Sequence, residues 1–352
     1  MKIAVLGDTH FGARNDSLHF SSYFERFYTE VFFPYLESNN ILDVIQLGDV
    51  FDRRKYINFQ SLKNAKRFFF DRLNEHYQSW LLIGNHDTFF KNTNDVNSLD
   101  LLLGEYHNIN IVNEPTTVEF DGADLFLMPW ICPENEASIL EAAKQTKAQV
   151  AFGHLELAGF EMSRGQVMDH GMDPNIFDKF EHVITGHFHH MSTRRNITYT
   201  GTPYEMTWAD YGDPKGFHVF DTETRTLTFI QNPFTIFRKV WYDDTDKEML
   251  YLDTFKDSSL KDCFVKLIVT KKNNHFWFDM AVDHIEKSGA IELQVVDDHQ
   301  NLNLENDDDI VNQAEDTVSI LRKFVDQAEV GVSKDRLLSL LSDLYQDAMS
   351  LE

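Results

Sequence analysis

Five apolar runs in this chain end in the same way. "KIAVLG" (2–7), "DVIQLG" (43–48), "WLLIG" (80–84), "AQVAFG" (148–153) and "EHVITG" (181–186) each close on glycine, and a side chain able to hold a metal follows at once: Asp8, Asp49, Asn85, His154 and His187. Short apolar runs bounded by glycine read as strands buried on both faces. In α/β sheets the carboxyl ends of such strands meet at one edge, where glycine lets the backbone turn and polar side chains converge. A helix N-cap or a turn accounts for one such Asp or His, but not for the same ending five times. Asp8 and His10 are two residues apart, as are His187 and His189. If the chain stays extended past the strand, each pair points to one side. Seven oxygen and nitrogen donors are thereby expected in one pocket.

Between these runs lie amphipathic stretches that predict helices around 19–38, 58–77 and 135–146, and "DLFLMPW" (124–130) adds a sixth apolar run. This alternation defines an α/β class. From about residue 189 the texture changes: "STRRNITYTGTP", "GFHVFDTETRTLTFI" and "TIFRKVW" have the turn residues and alternation of antiparallel strands, so a mixed sheet is expected. His19, His76, His107, His182 and His218 lack the strand–glycine context and read as surface or core residues; His190 reads as a bystander, and His170 at most supports a ligand.

The donor set narrows the metal. Carboxylate and amide oxygens mixed with imidazoles, without thiolate, suit Mn²⁺, Fe²⁺ or Zn²⁺ better than copper, an iron–sulfur cluster or Ca²⁺. Cys132 and Cys263 are too few and too far apart for a disulfide framework or a thiolate site, which fits a reducing, cytoplasmic setting. No apolar run approaches the ~18 residues of a membrane span. Seven ligands exceed the needs of one tetrahedral ion, whereas a carboxylate can bridge two cations about 4 Å apart and leave an oxygen nucleophile between them for attack on phosphorus.

Charge is uneven. Residues 241–352 carry 11 Lys+Arg against 25 Asp+Glu, a net of −14, out of −25 for the 352-residue chain. Such a protein repels nucleic acid unless bound cations, local arginines or a basic partner intervene.

"GDTH" (7–10), "GDVFD" (48–52), "GNHD" (84–87), "GH" (153–154) and "GHFH" (186–189) together resemble the ordered motif set of calcineurin-like metallophosphoesterases. "YTGTPYEMTW" with "DPKGFHVFD" is further similar to the segment after the last metal motif in SbcD-type DNA repair nucleases, the phage members above all. The resemblance implies a β-sandwich flanked by helices and two divalent ions, Mn²⁺ foremost with Mg²⁺ as the alternative. It implies that Asp8, His10, Asp49 and His189 hold one ion and Asp49, Asn85, His154 and His187 the other, with Asp49 as bridge. His86 would stabilise the transition state or protonate the leaving 3′ oxygen. Asp87 would orient His86 or its loop, or simply cap the turn. Asp52 stands where many archaeal and eukaryotic members have histidine, so any catalytic part for it is open. Arg14, Arg53, Arg54, Lys55, Arg194 and Arg195 are candidates for the DNA backbone.

The resemblance divides the chain into a nuclease core (1–240), a small α/β capping domain (255–300) and a helical region (305–352). "CFVKLIVT" (263–270), "WFDMAVDHIEKSG" and "AIELQVV" read as strand, helix and strand after the acidic spacer "YDDTDKEMLYLD" (242–253). Two amphipathic helices are expected at 310–328 and 334–349, the second with Leu337, Leu338, Leu341, Leu344 and Tyr345 on one face. In the resembling nucleases such a region docks on the coiled coil of an SMC-like ATPase, and the chain acts as a homodimer within that complex. The implied activity is exonucleolytic and endonucleolytic cleavage of DNA in recombination-dependent replication and double-strand-break repair. A hydrolase of cyclic nucleotides or other small phosphodiesters, or a phosphoprotein phosphatase echoed by "FDRRK" (51–55), remains as an alternative.

Overall fold

The computed structural model describes residues 1–297 and, beyond them, Val325, Lys334 and Leu337. The two helices expected at 310–328 and 334–349 therefore lie outside the described residues, apart from those three positions. The chain divides into two compact units, and the elements below belong to the first, Met1–Met206 with Asp210–Asp297.

Seventeen strands follow in chain order among the described residues. They are β1 (Lys2–Leu6), β2 (Asp43–Gln46), β3 (Gln78–Leu82), β4 (Ile109–Val112), β5 (Thr116–Phe120), β6 (Ala123–Met128), β7 (Val150–His154), β8 (Glu161–Ser163) and β9 (Gln166–Val167). Then come β10 (His182–Gly186), β11 (Ser192–Arg194), β12 (Ile197–Tyr199), β13 (Gly216–Asp221), β14 (Thr226–Gln231), β15 (Phe237–Asp243), β16 (Phe264–Lys271) and β17 (Glu292–Asp297). Two six-stranded sheets, ordered β14-β13-β1-β2-β3-β4 and β11-β12-β10-β7-β6-β5, form the expected sandwich. Both are mixed: β1 to β4 run parallel while β13 pairs antiparallel with β1, with Lys2 opposite Asp221, and β5 and β11 are the antiparallel edges of the second sheet.

The apolar runs are near-continuous because each central strand is covered twice. Inward, Ile3, Val5, Ile45, Leu82 and Phe220 of the first sheet meet Leu125, Leu127, Val150, Phe152 and Ile184 of the second. Outward, the first sheet carries the helical stretches Leu18–Ser38 and Phe59–His76, each passing through a π turn, at Tyr28–Phe32 and Lys66–Phe70. An aromatic cluster packs around these helices: Phe24 stacks on Tyr204 with ring centres 3.7 Å apart, and Tyr28 lies 4.7 Å from Phe69. Buried rings of this size supply most of the apolar area that fixes a helix to a sheet. On the far side, the helix Glu136–Gln145 covers the second sheet through Ile139 and Ala143.

The small C-terminal sheet corrects one expectation. "TIFRKVW" is not an antiparallel strand of the sandwich: β15 runs parallel to β16, which runs parallel to β17, and the helix His275–Lys287 covers one face. Tyr242, Leu252 and Phe255, inside or just beyond the acidic spacer, are buried in that core with Leu267, Val269, Ala281 and Ile285. The spacer is therefore largely built into the unit it is expected to set apart. Its acidity misleads because the apolar residues that matter, Tyr242, Tyr251, Leu252 and Phe255, are flanked by the aspartates that give the segment its charge.

Candidate metal centre

The five glycine-terminated runs end where the two sheets come together. Asp8 follows β1, Asp49 follows β2, Asn85 follows β3, His154 ends β7, and His187 and His189 follow β10. All seven expected donors are gathered. Six sort into two groups whose ligand atoms lie within 4.8 Å of one another: Asp8, His10 and His189, and Asp49, His154 and His187. Asn85 joins the second, its Oδ1 2.8 Å from His154 Nε2 and 2.9 Å from His187 Nδ1. Asp49 lies between the groups, with Oδ2 3.4 Å from His154 Nε2 and 3.8 Å from His10 Nε2.

Local backbone decides this sorting, and here one expectation fails. The chain does not stay extended past β10: His187 has φ 93°, so His187 and His189 serve opposite groups although they are two residues apart. His10 and Asp49 also take positive φ, 41° and 52°. Left-handed backbone costs a non-glycine residue on the order of 1 kcal/mol, and three such residues in one centre mark strain held in place by the surrounding fold. Glycine at position 84 has a steric reason as well. A Cβ there would lie 2.1 Å from the Asp49 amide nitrogen and 2.2 Å from its Oδ1, so only a bare backbone lets the second and third loops meet.

Hydrogen bonds fix the side chains. His154 Nδ1 faces the Leu47 carbonyl at 2.8 Å, which turns Nε2 toward Asp49 and Asn85. The His187 amide donates to both Asp8 oxygens at 3.0 Å. Asp87 accepts from the amides of Val50, Phe51 and Gly84, so of the roles expected for it, joining and capping the two loops is the one its contacts display. Asp52 lies with Oδ1 3.4 Å from His10 Nδ1, while its carbonyl receives His86 Nδ1 at 2.6 Å. No residue pattern points to that carbonyl contact in advance. The His86 amide donates to Asp49 Oδ1 at 2.7 Å, and its ring centre is 5.0 Å from that of His10.

Electrostatics describe a centre with its charges in competition. Burial pushes Asp8 up to about 6 despite the His154 charge beside it. Burial acts against Asp49 too, but His154, His86 and His10 overcome it and hold that carboxyl well below its ordinary range. Burial depresses His10 and His154, yet the neighbouring carboxylates raise both to about 9. His187 and His189 go the other way, forced down by burial and by neighbouring imidazoles, His189 to about 3. Geometry agrees: His10 Nε2 and His189 Nε2 face each other at 3.1 Å, and Asn85 Oδ1 meets two imidazole nitrogens. A proton or a cation has to lie between such lone pairs, and hard-oxygen and imidazole donors in two adjacent groups fit two divalent ions.

The six basic candidates are distributed differently from one another. Arg54, half-buried, donates to Thr88 Oγ1 at 3.3 Å and lies over the Trp130 ring. Arg53 bonds Asn15 and Tyr56 and faces Asp16. Arg194 donates to the Gly159 carbonyl, and Arg195 is bound to Asn175 and Asp178. Lys55 and Arg14 are exposed. Arg54 and Arg53 thus stand on the loop that carries Asp49, whereas Arg194 and Arg195 brace the segments 159 and 175–178. His190, read as a bystander, has Nδ1 2.9 Å from Asp213 Oδ1.

A sandwich with this centre at the carboxyl ends of its strands defines a class. Residues 1–191 match the calcineurin-like phosphoesterase family, and the chain belongs to it. Among its relatives, it is 32% identical over 351 residues, 99% of each chain, to exonuclease subunit 1 of Enterobacteria phage T4. It is 25% identical over 210 residues, 57% of each chain, to a putative phosphoesterase of invertebrate iridescent virus 3. With an SbcCD nuclease subunit of Staphylococcus epidermidis, SbcD, it shares 26% identity over 165 residues, 44% of this chain and 40% of the other. The family works with divalent metals, and the two Asp/His groups are candidate positions for them. The chain is a metal-dependent phosphodiesterase with relatives named as nuclease subunits. Among the described residues no helix is long and apolar enough to cross a membrane.

Proposed function

We propose that this phosphodiesterase is a DNA nuclease, exonucleolytic and endonucleolytic, that works beside a coiled-coil SMC-like ATPase in recombination-dependent replication and double-strand-break repair. The observation that carries the reading is the double Asp/His group joined at Asp49, taken with full-length similarity to an exonuclease subunit. Asp8, His10, Asp49 and His189 would hold one ion and Asp49, Asn85, His154 and His187 the other, with Mn²⁺, one of the cations the donors suit, put first by the family resemblance and Mg²⁺ the alternative. When bound, such ions supply Lewis-acid activation of the phosphate and of the attacking water.

The chain's own residues do the rest. His154 is oriented by the Leu47 carbonyl and His10 by the Asp52 carboxylate, the usual support that sets the tautomer of a metal-binding imidazole. His86 is poised for proton exchange at Nε2 because Nδ1 is held by the Asp52 carbonyl. Asp52 is thus a positioning residue for two histidines at once, and Asp87 fixes the loops that carry Asp49 and Asn85. Arg53, Arg54 and Lys55 would steady the DNA backbone beside the centre, with Arg14, Arg194 and Arg195 as outlying contacts. Most of the affinity for an anionic duplex would come from the ATPase, since the chain carries −25 overall. The helices expected at 310–328 and 334–349 would dock that partner, and two copies of this chain would share the complex.

Incubating the full chain with end-labelled duplex and single-stranded DNA tests this reading, with Mn²⁺, with Mg²⁺, and after removal of metal. Cleavage that requires the cation and is strongest with Mn²⁺ is expected. Hydrolysis of small phosphodiesters or phosphoproteins with none of DNA would refute it.

A further inference from the structure

The Asp8, His10 and His189 group is gripped from behind by residues of two neighbouring stretches, 200–206 and 210–215. The His189 carbonyl accepts from Lys215 Nζ at 2.8 Å and from the Thr202 amide at 3.3 Å. Tyr204 donates its hydroxyl to the carbonyl of Thr9, the residue between Asp8 and His10, at 2.6 Å. On the other side of Asp8, a Cβ at Gly7 would lie 1.9 Å from the Gly201 carbonyl oxygen, so the two backbones are in direct contact. All three members of this group are therefore tied, through main chain, to one brace. The other group is supported elsewhere, through Asp87, the Leu47 carbonyl and Gly84.

Lys215 is the unusual member of the brace. It is buried, and its three N–H bonds have three acceptors: Asp210 Oδ1 at 2.6 Å, Asp213 Oδ2 at 3.0 Å and the His189 carbonyl. Asp213 in turn faces His190, the next residue in the ligand loop. A buried ion triad is no better for stability than a well-packed apolar cluster, because desolvation cancels most of the attraction. An ammonium fixed by two carboxylates does offer a direction, since its remaining N–H can point at only one place, and here that is the backbone of a metal-binding residue.

We propose that Lys215 is a positioning residue for the cation held by Asp8, His10 and His189, and that this cation, unlike its neighbour, depends on the brace of 200–206 and 210–215. The inference rests on the two-metal reading above. Outer contacts of this kind change metal affinity by about 10- to 100-fold when removed.

The test uses the full chain as Lys215→Met, and as Lys215→Met combined with Asp210→Asn and Asp213→Asn, which leaves no buried carboxylate unpaired if the single variant does not fold. Mn²⁺ titration followed by calorimetry and electron paramagnetic resonance is compared with wild type and with His189→Ala. Wild type should show a spin-coupled Mn²⁺ pair. The Lys215 variants should show, at low Mn²⁺, the isolated-ion signal that His189→Ala shows. The Mn²⁺ needed for half-maximal phosphodiester hydrolysis should rise about 10- to 100-fold, with kcat at saturating Mn²⁺ within about twofold of wild type. Two unweakened sites, or two sites weakened equally, would overturn the inference. A wild-type chain that binds no cation would instead remove the reading on which it rests.

Discussion

Asp49 shows how much one carboxylate can be asked to do. Its Oδ1 orients the loop of His86, its Oδ2 faces an imidazole of each group, and its backbone takes a left-handed turn to reach that position. Asp49→Ala should therefore lose both cations together and lower DNA cleavage by far more than tenfold, while circular dichroism and melting show a folded chain. Near-wild-type cutting at saturating Mn²⁺ would rule out a bridge. His86→Ala should behave in the opposite way. Its ring is held at one nitrogen by the Asp52 carbonyl and is outside both ligand groups. Two ions should stay bound as turnover drops about 100-fold. An empty metal position on elemental analysis would make His86 a ligand or a support.

Among elements, a buried carboxylate links the sandwich to the small sheet. Glu205, within the brace, accepts the amides of Ile236 and Phe237 where β15 begins. Burial pushes it up to about 7 from an ordinary 4.5, in spite of those two amides. A carboxyl raised in the folded state binds its proton more tightly there, so stability from this group is greatest below about pH 4.5 and is lost as pH rises through 7. Glu205→Gln keeps an oxygen for the two amides and cannot ionise. Its melting temperature relative to wild type should improve between about pH 5 and pH 8, by the equivalent of about 1–3 kcal/mol; parallel curves would disprove the linkage. The same region shows what a sequence can and cannot reveal. The strands β1, β2, β3, β7 and β10 are readable because burial on both faces leaves a near-continuous apolar run, and the ligands because five of them follow a glycine and His10 and His189 each stand two residues beyond one of those five. The strands β4 and β5 at the sheet edges, covered less completely, leave only "INIV" and "TTVEF", too short and mixed to stand out. The split of His187 from His189 is implied by the family motif alone and not by the two-residue spacing, because a positive φ at a histidine has no mark in the local sequence. Lys215 is hidden because a lysine before glycine looks like solvated surface until its two aspartates are placed around it.

For the whole molecule, the ligands all precede residue 190, and the acidic stretch 301–309 stands in the sequence between the core and the expected docking helices. Truncation after about residue 305 should leave a folded core that binds metal but no longer associates with the ATPase. Leu338→Glu with Leu341→Glu should weaken that association in a milder way, since an unpaired charge in an apolar contact costs several kcal/mol. A truncated chain that still copurifies tightly with the ATPase would place the docking surface elsewhere. The strand order of the sandwich also governs how the molecule comes into being. The strand β1, made well before its antiparallel neighbour β13, lies inside its sheet, and β13 ends at Asp221, paired with Lys2. At about 5–20 residues per second, roughly 10–40 s of synthesis separate the two. Throughout that interval β1 has an open edge, and His10 awaits a partner, His189, encoded 179 residues downstream. Until β13 and His189 have been made, the nascent chain can neither close its sheet nor complete its metal centre, and the edge of β1 is a template for wrong pairing for that time.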